Sequence, residues 1–225
     1  MTSAAVITFP GSNCDRDAIV ALKKTGFKVD NIWYKETNIA NNYDLIMVPG
    51  GFSYGDYLRS GAMAATSPVM KEVRRLADKG TKILGVCNGF QILQEALLLK
   101  GSLLRNKKMK FICKTANLQV VNNQTPFTAK YNPDQLIKIP VAHMDGNYFI
   151  SSDGLKELQD KDNIAFKYRS DCGKFEEDLN GSTAGIAGIF NDQKNILGMM
   201  PHPERAVDSD LGLEDGIDMF IGLLN

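Results

Sequence analysis

The spacing of apolar and polar positions changes character about half-way along the chain. In the first half, short apolar runs alternate with stretches of helical spacing. Residues 4–9 read as a strand that breaks at Pro10-Gly11, and residues 15–25 as a helix stopped by Gly26. Residues 28–34 and 44–48 read as further strands, the second ending in Pro49-Gly50-Gly51. A long helix is expected over residues 63–79 with Gly80 as its stop, followed by a strand over residues 81–86. Strands alternating with helices predict βαβ units and a parallel sheet buried on both faces. Ligands in such sheets bind beyond the carboxyl ends of strands, which singles out residues 10–14, residues 49–61 and the turn at Cys87.

The second half is richer in strand-like runs, at residues 110–121, 136–142, 164–170, 185–191 and 195–200, several joined by short turns. These read as antiparallel additions to the sheet. Residues 214–224 read as a closing amphipathic helix bearing Ile217, Phe220, Ile221 and Leu224. With no linker, repeat or low-complexity stretch, one domain over residues 1–225 is expected. The expected class is α/β: a mostly parallel, doubly wound sheet with helices on both faces and antiparallel strands added in the second half.

Charge and cysteine usage narrow the functional classes. The 26 basic and 26 acidic residues cancel, so a nucleic-acid partner is not expected. The basic run at residues 105–110 reads as a solvated loop. No apolar stretch approaches the 18 or so residues of a membrane span, and the N-terminus lacks the basic start of a signal peptide. Cys14, Cys87, Cys113 and Cys172 have no paired spacing, which argues against a disulfide framework or a zinc cluster and for a reducing compartment, the cytoplasm.

Candidate chemistry centres on Gly85-Val86-Cys87-Asn88-Gly89, between an apolar strand and a helix-like stretch. A Gly-x-nucleophile-x-Gly pattern at a strand-to-helix junction makes a sharp turn that projects one side chain from the sheet edge. The glycines are expected to clear space beside that side chain, and the helix N-terminus to favour the thiolate. Acyl chemistry at a thiol needs a base and a group that orients it. Of the two histidines, His202 lies in Pro201-His202-Pro203-Glu204. An extended backbone, as the prolines favour, would put Glu204 on the same side as His202. A buried structural histidine and a metal ligand are the other uses of His202, and His143 is the rival base. Oxyanion donors are expected from the backbone N–H groups of Asn88 and of the Gly50-Gly51 turn. Gln91, one helical turn past Cys87, could meet an amide substrate.

These segments resemble the triad (class I) glutamine amidotransferases over the full length of the chain. Pro49-Gly50-Gly51, the elbow through Phe90-Gln91, and Pro201-His202-Pro203-Glu204 stand where that family has its oxyanion strand, nucleophile and His-x-Glu pair. Residues 10–17, 50–62 and 199–205 are most similar to the glutaminase subunits of phosphoribosylformylglycinamidine synthases. Met144-Asp145 departs from the Gly-Glu often found there.

The resemblance implies glutamine hydrolysis through a cysteinyl thioester, with Cys87, His202 and Glu204 catalytic. It implies an oxyanion hole at Gly51 and Asn88, and glutamine contacts at Gln91, Ala142 and His143. No cofactor or metal is expected on this chain. Ammonia would pass to a large synthetase subunit that uses ATP and Mg²⁺ to convert the formylglycinamide ribonucleotide (FGAR) to its amidine (FGAM), and a small third subunit would bridge the two. The isolated chain is expected to be a poor glutaminase, with residues 53–61 sensing the partner. The alternatives at this point are a glutaminase for another synthetase, a cysteine hydrolase or chaperone of similar sheet, and a non-catalytic scaffold.

Overall fold

The computed structural model describes residues 2–40, 42–170 and 179–224; Cys172 lies outside them. Strands β1 (Ser3–Thr8), β2 (Lys28–Trp33), β3 (Leu45–Val48) and β4 (Lys82–Val86) pair in parallel in the order β2-β1-β3-β4. Every residue of β3 is buried, as are all but the first in β1 and β4. Burial without a two-residue period means that both faces of these strands are covered. Helices α1 (Asp15–Lys24), α2 (Ala62–Ala65), α3 (Pro68–Asp78) and α4 (Asn88–Glu95) lie in the connections. Asp15 and Asp17 open α1 while Lys23 and Lys24 close it, matching charge to the helix dipole at both ends.

The single helix expected over residues 63–79 is two helices. Ser67 is extended, with ψ 154°, and Pro68 opens α3. Proline lacks the N–H that a continuing helix needs and pushes the preceding residue out of the helical region.

The second half supplies β5 (Ser102–Leu104), β6 (Ile112–Val120), β7 (Leu136–His143), β8 (Asn147–Phe149), α5 (Ser152–Asp160), β9 (Ile164–Arg169), β10 (Ile186–Phe190), β11 (Ile196–Met199) and α6 (Ile217–Gly222). The nine-stranded sheet runs β2-β1-β3-β4-β11-β10-β9-β6-β7. Its first four pairings are parallel and its last four antiparallel. The α/β sheet with antiparallel additions is therefore present, and the additions are as extensive as the parallel part. At the outer end, alternating burial in β7 marks a sheet with one solvated face.

β5 and β8 form a separate two-stranded sheet; three residues each are too few to show a period. Helix α5 is likewise absent from the sequence pattern. Leu158 is its one buried residue, so its apolar stripe is faint, although Ser151 caps it by accepting from Gly154 N at 3.2 Å.

One topological feature positions the site. The last strand, β11, returns to the middle of the sheet and lies parallel to β4. Its end is pinned to the elbow, with Cys87 N donating to Met199 O at 2.8 Å, so residues 200–205 emerge beside Cys87.

Candidate active site

β4 ends at Val86 and α4 begins at Asn88, leaving Cys87 alone to make the turn. Its backbone adopts φ 52°, ψ −108°, a costly conformation for a residue with a Cβ. The bond to Met199 and the acceptance of Gln91 N by Cys87 O at 3.2 Å hold it there. The flanking glycines serve a different purpose from the one expected. A Cβ on Gly85 would meet Leu93 and stand 2.9 Å from Gly89 O, and one on Gly89 would collide with Val48 O. Both glycines let α4 lie close against β3 and β4, and the atoms that a Cβ at either position would meet first belong to those elements and not to the thiol.

Cys87 is buried, and its Sγ lies 3.6 Å from Ala142 O on β7. His202 converges on the same place, since a Cβ built on Gly50 would stand 2.8 Å from His202 Cε1 and 3.3 Å from Cys87 Cβ. The expected extended segment is corrected here: Pro203–Arg205 forms a single 3₁₀ turn, preceded by His202 at φ −103°, ψ 85°. This turn brings Glu204 to the ring, with Oε1 2.6 Å from Nδ1. Both side chains are buried, and His202 N donates to Pro140 O at 2.8 Å, tying the turn to β7. Burial opposes protonation of the ring. The Glu204 carboxylate and the sulfurs of Cys87 and Cys14 outweigh it and raise the His202 pKa well above its ordinary value.

Gly51 takes φ 139°, and a Cβ there would stand 2.7 Å from Asn13 N, so the position is closed to other residues. Asn88, as the first residue of α4, presents an N–H with no intrahelical acceptor. Its side chain is a clamp: Oδ1 accepts from Ser53 N at 3.1 Å and Nδ2 donates to Gln91 Oε1 at 2.8 Å. Gln91 in turn donates to Asp145 O at 2.8 Å. Gln91 thus lines the cleft, with its amide braced between the elbow and the segment after β7.

His143, the rival base, lies in the same cleft, its Nδ1 3.1 Å from Asn106 Oδ1. Asn106 Nδ2 already donates to Lys110 O at 2.8 Å and His143 O at 2.9 Å, so its oxygen must face the ring and Nδ1 carries the proton. Burial, assisted by the neighbouring His202, pushes the His143 pKa down to about 4. His143 is therefore a neutral imidazole with Nε2 as an acceptor. The fully buried Asn106 belongs to the basic run that reads in sequence as a solvated loop; nothing in its neighbours' composition marks it.

Cys14, to which the sequence gives no role, also lies at this centre. Arg205 Nη2 donates to its Sγ at 3.2 Å, while Arg205 Nε holds Asp17 Oδ2 at 2.9 Å. Ligand atoms of Cys14, His202 and Glu204 fall within 4.8 Å of one another. That set could ligate a soft cation, but the guanidinium at the sulfur and the short His202–Glu204 bond match proton chemistry better. A cleft of about 230 Å³ opens here, lined by Gly51, Cys87, Gln91, Ala142, His143 and His202 among others, with Asn88 and Glu204 behind it.

Residues 1–211 match the family described as CobB/CobQ-like glutamine amidotransferase domain. The chain belongs to that glutamine amidotransferase family. The amidotransferase is 51% identical to the phosphoribosylformylglycinamidine synthase subunit PurQ of Novosphingobium aromaticivorans, over 97% of this chain and 94% of that protein. It also superposes on a chain of the PurLQS structure from Thermotoga maritima with a TM-score of 0.89 and 45% identity, covering 100% of this chain and 98% of that one. The crystal structure of another glutamine amidotransferase from Thermotoga maritima shares the fold, at 16% identity and a TM-score of 0.62, over 99% of this chain and 96% of that one. No helix among the described residues of the amidotransferase is long and apolar enough to cross a membrane. Its thiol, imidazole and carboxylate form the series that acyl transfer from an amide requires.

Proposed function

We propose that this chain, as a single amidotransferase domain, is the glutaminase subunit of a phosphoribosylformylglycinamidine synthase working in the cytoplasm. Cys87 is the nucleophile, His202 its base and Glu204 the group that orients the base. The Cys87 thiolate attacks the side-chain carbonyl carbon of glutamine, and the oxyanion receives the N–H groups of Gly51 and Asn88. His202, having taken the thiol proton, delivers it to the departing nitrogen. The C–N bond breaks, ammonia leaves and a γ-glutamyl thioester remains. Water then gives a proton to His202 as it attacks the thioester, and glutamate is released with the thiol restored.

Gln91, Ala142 and His143 contact the glutamine. Neutral His143 suits that task, because its Nε2 can accept from the substrate amide without competing for the Cys87 proton. Ammonia passes to a large synthetase subunit that spends ATP, with Mg²⁺, in converting FGAR to FGAM, and a small third subunit bridges the two. This chain itself binds no cofactor or metal in the reaction.

The observation that carries this reading is the buried Glu204–His202 pair, at 2.6 Å, converging on a cysteine elbow in a glutamine amidotransferase. The 51% identity to a PurQ subunit supports the choice of pathway. The test is glutamate release from glutamine by the chain alone, then with the synthetase, the small subunit, ATP and FGAR. Low activity that rises in the mixture and disappears in Cys87→Ala is expected. Cys87-dependent hydrolysis without stimulation would assign the chain to a different synthetase.

A further inference from the structure

We propose that Cys14 is a positioning residue for His202, a second sulfur that works with Glu204 to fix the imidazole opposite Cys87. The proposal rests on the acyl chemistry assigned above, and its starting point is Gly50. A Cβ built on Gly50 would stand 2.8 Å from His202 Cε1, 3.2 Å from Cys14 Sγ and 3.3 Å from Cys87 Cβ. The ring and both cysteines therefore converge on one point of the backbone.

Cys14 is held in that place from several sides. It is buried, and its N–H donates to Gly50 O at 3.4 Å. Its thiol donates to Asn13 Oδ1 at 3.3 Å while its sulfur accepts from Arg205 Nη2 at 3.2 Å. The groups facing His202 come from four parts of the fold. Glu204 comes from its own turn, Cys87 from the elbow, Cys14 from the β1–α1 loop and His143 from β7, while Arg205 of the same turn bonds Cys14 and Asp17. Of these, Glu204 and the two sulfurs favour the imidazolium.

The ring has two N–H positions, and Nδ1 is committed to Glu204. Nε2 makes no hydrogen bond among the described residues, so the Cys14 sulfur, within 4.8 Å of a ring nitrogen, acts on the ring by close packing and charge rather than through a formed bond. Acylation takes up the Cys87 sulfur, and Cys14 is the sulfur left unmodified beside the ring.

With two histidines in the chain, ring C–H resonances report each titration directly. In the intact protein the His202 ring is expected to titrate above its ordinary value and the His143 ring near pH 4. Cys14→Ala and the bulk-preserving Cys14→Val should each lower the His202 midpoint by about one pH unit and leave His143 unchanged. Cys14→Ser, which restores an acceptor, should recover part of that shift. In the assembled enzyme, Cys14→Val should lower kcat about tenfold with KM within about twofold. An unchanged His202 midpoint in either folded Ala or Val variant overturns the proposal. Failure of the glutaminase reading would appear elsewhere, as glutamine hydrolysis that survives Cys87→Ala.

Discussion

His202 and Glu204 form a hydrogen-bonded pair in which Nδ1 and Oε1 are 2.6 Å apart and neither side chain reaches solvent appreciably. The carboxylate selects the ring tautomer as well as its charge, because a proton on Nδ1 leaves Nε2 for the thiol. Glu204→Gln keeps the shape but offers an amide that can donate to Nδ1 and reverse the tautomer. Its kcat for glutamate release in the assembled enzyme should fall by about 10² to 10⁴-fold, with the fold retained by circular dichroism. A loss below tenfold would mean that Glu204 does not orient the base.

The two histidines act on stability in separate pH windows. His143 has a folded pKa of about 4 against an ordinary 6.5. Between those values the unfolded chain binds a proton that the folded chain refuses. Stability is therefore lost as pH falls from 6.5 to 4, by about 3 kcal/mol when complete. His202 has the opposite sign: its folded pKa is raised, so its contribution is full below 6.5 and is lost as pH rises through the folded value. Carboxylates such as Asp208, whose pKa is lowered by Lys24, act only in more acid solution. Urea midpoints from pH 7 to 4.5 should fall less steeply in His143→Gln than in the parent. Parallel slopes would show that His143 is not the group titrating there.

Gly50 is a test of how tightly the centre is assembled. Its backbone does not require glycine for conformational reasons, and what a Cβ would meet is His202, Cys14 and Cys87. Gly50→Ala should therefore affect chemistry more than folding, because the displaced groups are the proposed nucleophile, its proposed base and the sulfur proposed to position that base. We expect kcat to fall by about 10²-fold, since small misplacements of reacting groups are that costly, and the melting temperature to shift by only a few degrees. Retained activity would show that the centre can relax around a methyl group.

Much of this arrangement is legible in the sequence, and the gaps have physical causes. The parallel strands are visible because burial on both faces makes them continuous apolar runs. Cys87 is visible because glycines bracket it, although their actual role is to seat α4 on β3 and β4. The 67–68 break is signalled by Pro68. An extended backbone places Glu204 on the correct side of His202 for the wrong reason, since a 3₁₀ turn and an extended pair both bring residues two apart together in this case. Asn106 and Cys14 are not legible as site residues. Each reaches the site through long-range contacts, with His143 and with Arg205, that no local pattern encodes.

The segment after β3 offers a final test, directed at the partner. Tyr54, Asp56 and Leu58 all have positive φ, and such strained non-glycine positions persist only where surrounding contacts enforce them. The base of the segment is tied to the elbow through Ser53 N and Asn88 Oδ1 at 3.1 Å, and Arg59 pairs with Glu95 on α4. Its tip carries Tyr57 and Leu58, 74% and 89% exposed. A partner pressing on that tip would act through Ser53 on Asn88, the proposed oxyanion donor. Tyr57→Ala and Leu58→Ser should leave the melting temperature within about 1 °C, since neither side chain is packed. They should weaken synthetase binding by about tenfold or more, the scale of an exposed aromatic or aliphatic anchor, and reduce stimulation of glutamate release in proportion. The unstimulated activity of the isolated chain should not change. If both variants bind and are stimulated like the parent, the partner signal enters the elbow by another route.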